Sequence, residues 1–172
     1  LSLINLKFKK LNLKSTNSTC EDSINFINSS GFVENIYIEN AYSDALDVDF
    51  SELEINNIYV NSAKNDCLDF SYGKYMIKKS NLSNCGDKAL SVGENSKLNL
   101  DYIQASISEI GIASKDSSIV NFTEGEFNSV KTCLSAYKKK QEFEGGVINY
   151  NNMKCNFTLS KIDFDSRSII RN

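Results

Sequence analysis

Proline, tryptophan and histidine are missing from the 172 residues, and arginine occurs only at Arg167 and Arg171. Without histidine, no site in the chain can rest on an imidazole base or ligand. The 19 lysines and arginines form no stripe and the net charge is −3, so a nucleic acid is not an expected partner. No run approaches the roughly 18 apolar residues of a membrane span, and the opening LSLINLKFKKLNLKS alternates rather than forming a signal-peptide core. The chain starts without Met and in strand-like sequence, which leads us to expect a fragment of a longer protein. Its five cysteines include no C-x-x-C pair, which argues against a structural zinc. Buried free thiols acting as small hydrophobes are the expectation. A disulfide is the alternative, with no pair indicated.

What the chain does have is a period. Ile24, Leu46, Leu68, Leu90, Ile112 and Leu134 stand 22 residues apart without exception. Two residues on come Phe26, Val48, Phe70, Val92, Ser114 and Ala136; between the columns lie Asn25, Asp47, Asp69, Ser91, Ala113 and Ser135. Apolar, polar, apolar is the signature of a strand with one buried face, here once per repeat. A second strand is legible in NIYIENA and NIYVNSA, continued by Leu82 and blurring over Tyr102 to Gln104. A third runs through Leu53–Ile55, Tyr75–Ile77, Leu98–Leu100 and Val120–Phe122, with one residue inserted before Leu98. Ser18, Asn40, Ser62, Asn84, Ser106 and Asn128 form a further column, expected at repeated bends where side-chain oxygens bond turn backbone.

No coil of this kind can bury its apolar face alone, so coils must stack. The expected fold is all-β, a right-handed parallel β-helix of about six 22-residue coils with three short strands each. Residues 1–172 read as one domain, with regular coils over about 14–137 and an irregular coil or cap over 138–172.

Residues 10 to 150 resemble the pectate-lyase-like right-handed β-helix superfamily. NDCLDFS, GDKALSVGE, GIASKDSS and AYKKKQEF are similar to strings in bacterial β-helix repeat proteins, some attached to CotH-type domains or encoded among surface-polysaccharide genes. That resemblance implies an extracellular or cell-surface location and a polysaccharide or glycan partner. It carries no kinase signature, and the superfamily includes lyases, hydrolases, epimerases and plain binding proteins.

The outward positions bear the candidate chemistry. Asp47 and Asp69 occupy one column in successive coils, with Asp49 two residues beyond Asp47. Stacked like charges about 4.8 Å apart repel, so a cation, a lysine or water must offset them. These three aspartates are candidate ligands for Ca²⁺, the one cofactor considered. Lys88 and Lys115, from later coils, are candidate catalytic bases. Calcium acidifying a uronate and a lysine taking its C5 proton is the logic of a β-eliminating lyase, and similar β-helix lyases use it. The alternative is a solvated charge network of the lysines with Asp66, Asp87 or Asp116. An inverting hydrolase would instead use a pair among Asp47, Asp49 and Asp69. Against the enzyme readings, histidine is absent and both arginines lie beyond the regular coils.

Tyr72, Tyr137 and Lys138 are candidate glycan contacts, because half-exposed rings tolerate sugar stacking and a basic run suits an acidic glycan. Tyr37 and Tyr59, on an outward column of the second strand, are expected to stack on each other between coils, with stacking on a sugar face as the alternative. The sequence therefore favours a non-catalytic surface-protein segment, binding glycan or serving as an assembly scaffold. A Ca²⁺-dependent polyuronate lyase is the rival reading. A purely structural repeat, presenting its ends to flanking domains or a partner subunit, is the third.

Overall fold

The computed structural model describes residues 1–172 as fourteen strands in one sheet, with no helix. The strands are β1 (Ser2–Ile4), β2 (Lys7–Thr16), β3 (Asp22–Ile27), β4 (Ser30–Ala41), β5 (Asp44–Asp49), β6 (Glu52–Ala63) and β7 (Leu68–Ser71). They continue as β8 (Lys74–Cys85), β9 (Lys88–Gly93), β10 (Lys97–Lys115), β11 (Ile119–Tyr137), β12 (Val147–Asn156), β13 (Ser160–Phe164) and β14 (Ile169–Arg171). No helix is long and apolar enough to cross a membrane. Every pairing is parallel and joins one coil to the next, as in Ile24↔Leu46↔Leu68↔Leu90↔Ile112↔Leu134. The chain is thus a parallel β-solenoid of about eight turns rather than six. The two extra turns come from β1–β2 at one end and from β12–β14 at the other.

The strands do not divide into three equal pieces. In β4, β6, β8 and β10 the second and third strands of the sequence repeat run on without a break. The bend between them survives only as a single skipped partner, at Glu34, Asn56, Lys78 and Asp101. Inside the coils the 22-residue columns become a core of 37 buried residues, with Phe26, Phe70 and Phe127 its largest fully buried side chains.

Two corners per coil use left-handed backbone. The first holds Asn5, Asn28, Phe50 and Tyr72 singly, then Glu94–Asn95 and Asp116–Ser117 in pairs. The second residue in those pairs absorbs the insertion before Leu98. It also corrects the expected Asn/Ser column. The left-handed residues of the other corner are Asn17, Asn40, Ser62 and Asn84, followed by Ile107, Ser129 and Phe157. Ser18, Ser106 and Asn128 each sit one position away. Asn and Ser tolerate positive φ through local side-chain bonds, and Asn40 donates to Asn17 Oδ1 at 2.9 Å as Asn28 does to Asn5 Oδ1 at 2.7 Å.

Four cysteines are not free thiols. Cys67 pairs with Cys85 and Cys133 with Cys155, each disulfide stapling a single coil, while Cys20 is free and exposed rather than buried. Burial alone does not distinguish a thiol from half of a disulfide. The coil geometry decides it, by bringing the Cα atoms to 5.3 and 6.4 Å.

From β11 to β12 the register advances by 28 residues instead of 22. The surplus leaves the surface as a strap over residues 138–146. Asp116, fully buried, holds it by accepting the backbone N–H groups of Lys139 and Lys140, each at 2.7 Å. Glu144 N–H donates to Ser117 Oγ at 2.8 Å.

Candidate functional site

The outward side of β3, β5, β7, β9 and the ends of β10 and β11 carries three columns. The first is Asp22, Asp44, Asp66 and Lys88; the second Asn25, Asp47, Asp69, Ser91, Ala113 and Ser135. The third is Ile27, Asp49, Ser71, Gly93, Lys115 and Tyr137. The alternation that sends Leu46, Val48, Leu68 and Phe70 inward forces these residues out.

Too few cations lie here for the carboxylates. Asp47 receives only an amide, from Asn25 Nδ2 at 3.1 Å. Burial, then repulsion from Asp49, Asp22, Asp69 and Asp44, pushes its carboxyl up to about 8. Asp66 is pushed up to about 6 because burial outweighs the attraction of Lys88. Burial likewise raises Asp44, Asp49 and Asp69, in Asp69 against the pull of Lys115. The repulsion predicted for the column is therefore relieved partly by protons.

Lys88 is held between Asp66, at 3.4 Å, and Asp87, with which it forms a tight pair. Burial would lower its pKa, but the Asp87 hydrogen bond and the Asp66 charge outweigh burial and raise it. A lysine base must lose its proton, and this environment favours keeping it. Lys115 is almost wholly buried, and its stem lies flat across Gly93. A Cβ on Gly93 would come within 3.2 Å of Lys115 Cε. Its ammonium is 3.9 Å from Asp69 Oδ2, an ion pair rather than a hydrogen bond. No three His, Cys, Asp or Glu side chains form a group that could hold a metal ion, so Asp47, Asp49 and Asp69 are not gathered round one point.

At the adjoining corner, Phe50 and Tyr72 stack at 4.6 Å and 8°, 56% and 40% exposed. Both are left-handed non-glycine residues, Phe50 at φ 52° and Tyr72 at 50°, a conformation rare for bulky side chains. Phe143 from the strap meets Tyr72 edge-on at 6.3 Å. Beside them Glu94, buried, accepts from Ser71 Oγ at 2.5 Å and pairs with Lys140 at 2.7 Å. Burial works to raise the Glu94 pKa, but Lys140 and Ser71 outweigh it and hold it low. Phe50 also lines a groove of about 500 Å³ with Asn5, Lys7, Asn28 and Glu52. Aromatic and polar groups thus converge there in a volume suited to a small ligand.

Of the expected glycan contacts, Tyr72 stands in this aromatic corner. Tyr137 lies half-buried on the third column beside Lys115, near Lys88 and Asp87. Lys138 turns into its own strap, donating from Nζ to Gln141 O at 2.8 Å. Sequence reasoning missed Phe50, Glu94 and Phe143, and read Lys140 only as part of the basic run over 138–140. The 22-residue step from Phe50 to Tyr72 was a usable signal. The strap residues obey no period and gave none.

By fold and site this protein is a parallel β-solenoid with an acidic outer face and an aromatic corner. No family model matches the chain, and neither a curated protein nor a solved structure matches it.

Proposed function

We propose that the chain is a non-catalytic, glycan-binding segment of a bacterial surface protein, built as a right-handed β-helix of the pectate-lyase-like kind. The carrying observation is the exposed Phe50–Tyr72 stack, seated at a corner beside Ser71, Glu94 and Lys140. Flat amphipathic rings on a rigid scaffold bind sugar faces with little loss of side-chain entropy. Two disulfides support an oxidising, extracytoplasmic location. The pairing of Lys88 and Lys115 with carboxylates supports binding over elimination.

A glycan array probed with the intact protein, Phe50→Ala and Tyr72→Ala tests this reading. Expected is binding by the intact protein, weakened roughly tenfold in either variant. Binding that ignores both substitutions, or no binding at all, removes the proposal. Calcium-dependent release of unsaturated product from a polyuronate, lost in Lys115→Ala, would replace it with the lyase reading.

A further inference from the structure

A second aromatic platform lies on a different side of each coil, and its chemistry differs from that of the acidic face. The outward column there reads Lys14, Tyr37, Tyr59, Asn81, Gln104, Glu126 and Lys154, one residue per coil. Tyr37 and Tyr59 stack at 4.9 Å and 9°. On the far side of Tyr37 the Lys14 ammonium sits 5.2 Å from the ring centroid, so that ring is covered on both faces. Glu126 is occupied as well, by Lys154 at 2.9 Å and by the Tyr102 hydroxyl at 3.3 Å.

Between these occupied ends lies a neutral window. Tyr59 is 40% exposed, and the next residue in its column is the much shorter Asn81. The ring therefore overhangs a small groove of about 190 Å³ lined by Tyr59, Asn81, Leu82, Ser83, Gln104 and Ser106. No lining residue is charged. The carboxamides of Asn81 and Gln104 each offer both donors and acceptors. The groove is well below the size that encloses a drug-sized ligand, so a ligand must lie across it.

We propose that this window is a glycan-binding subsite for a neutral pyranose chain, with one sugar ring on the free face of Tyr59 and its hydroxyls hydrogen-bonded to Asn81 and Gln104. The free face of Tyr59 points along the column, so a ring stacked on it lies over Asn81 within reach of Gln104, and the chain runs across the column. Neutral lining favours a neutral sugar: the nearby charges are already engaged, Glu126 by Lys154 and the Lys79 ammonium by the Tyr102 ring. The subsite shares no residue with the Phe50–Tyr72 corner and does not depend on it.

The test is titration of the isotope-labelled intact chain with cellohexaose, xylohexaose and N-acetylchitohexaose, followed by NMR, with polygalacturonate as the charged comparison. Expected are shifts at Tyr59, Asn81 and Gln104 with at least one neutral oligosaccharide and none with polygalacturonate. Tyr59→Ala should weaken that binding roughly tenfold, and Gln104→Ala, which leaves the aromatic stack intact, should weaken it severalfold. Phe50→Ala should leave it unchanged, which separates this subsite from the corner. If no neutral oligosaccharide moves these resonances, or if Tyr59→Ala and Gln104→Ala bind as tightly as the intact chain, the subsite does not exist.

Discussion

Asp47 shows how one residue feels a whole column. It lies among Asp22, Asp44, Asp49 and Asp69 and receives one amide, so its proton is held up to about pH 8. An unfolded aspartate releases its proton near 3.8. Between those values the folded chain binds the extra proton, so Asp47 favours folding fully below about pH 4. That contribution is lost progressively as pH rises towards 8. Asp47→Asn keeps the shape and can still accept from Asn25 while removing the charge. At pH 8.5 it should stabilise the protein by on the order of 1 kcal/mol after discounting for solvent screening, about 2–4 °C in Tm. At pH 4.5 the gain should vanish. Thermal melts at both pH values check this, and an equal effect at the two would show that Asp47 does not carry the pH dependence. The column was legible in the sequence as a line of like charges, since period 22 placed Asp47 over Asp69. Protons as part of the relief were not, because that depends on how deeply the neighbouring coils bury each carboxyl.

At the scale of the element, the strap over 138–146 is the part of the site that no repeat announces. It is a six-residue insertion into a register that elsewhere varies by a single residue from coil to coil, and only the folded solenoid shows where it lands. Asp116 anchors it from a left-handed corner, accepting two strap amides through Oδ1 while Oδ2 has no partner. The strap in turn brings Lys140 to Glu94 and Phe143 to Tyr72. Asp116→Ala should therefore cost roughly 2 kcal/mol, since charge-assisted bonds to buried groups are the strong ones. It should also expose the amides of Lys139 and Lys140 to hydrogen exchange while those of β6 and β8 stay protected. Unchanged protection at Lys139 and Lys140 would show that the strap holds itself. Strands were more readable than straps: the buried columns in β5 to β11 follow from alternation alone. The misplaced Ser106 and Asn128 show the limit of that logic. A single inserted residue shifts a corner by one position while leaving the apolar columns on either side intact.

For the whole molecule, each coil touches only its neighbours, so stability is close to a sum over coils and their interfaces. The end coils have one neighbour each, and it shows in their burial. Phe164 is 55% exposed and Ile162 37%, whereas the columns they continue, Val48–Phe70–Val92 and Leu46–Leu68–Leu90, are fully buried in β5, β7 and β9. The two ends are not alike, however. Cys133–Cys155 staples the coil that links β11 to β12, and Cys67–Cys85 the coil of β7 and β8. No disulfide lies in β1 to β6. A staple restricts the open chain more than the folded one, which raises the cost of opening the coil it closes. Opening should therefore propagate inward from β1 and β2 before it reaches β11 and β12. Native-state hydrogen exchange in low urea should find β2 and β4 amides exchanging well ahead of those in β12, with β6 to β10 slowest. After reduction of both disulfides the β12 amides should approach the rate of β2, because what then remains is distance from an end. Equal protection of β2 and β12 before reduction would mean that the interfaces between coils, and not the staples, set the order in which the solenoid opens.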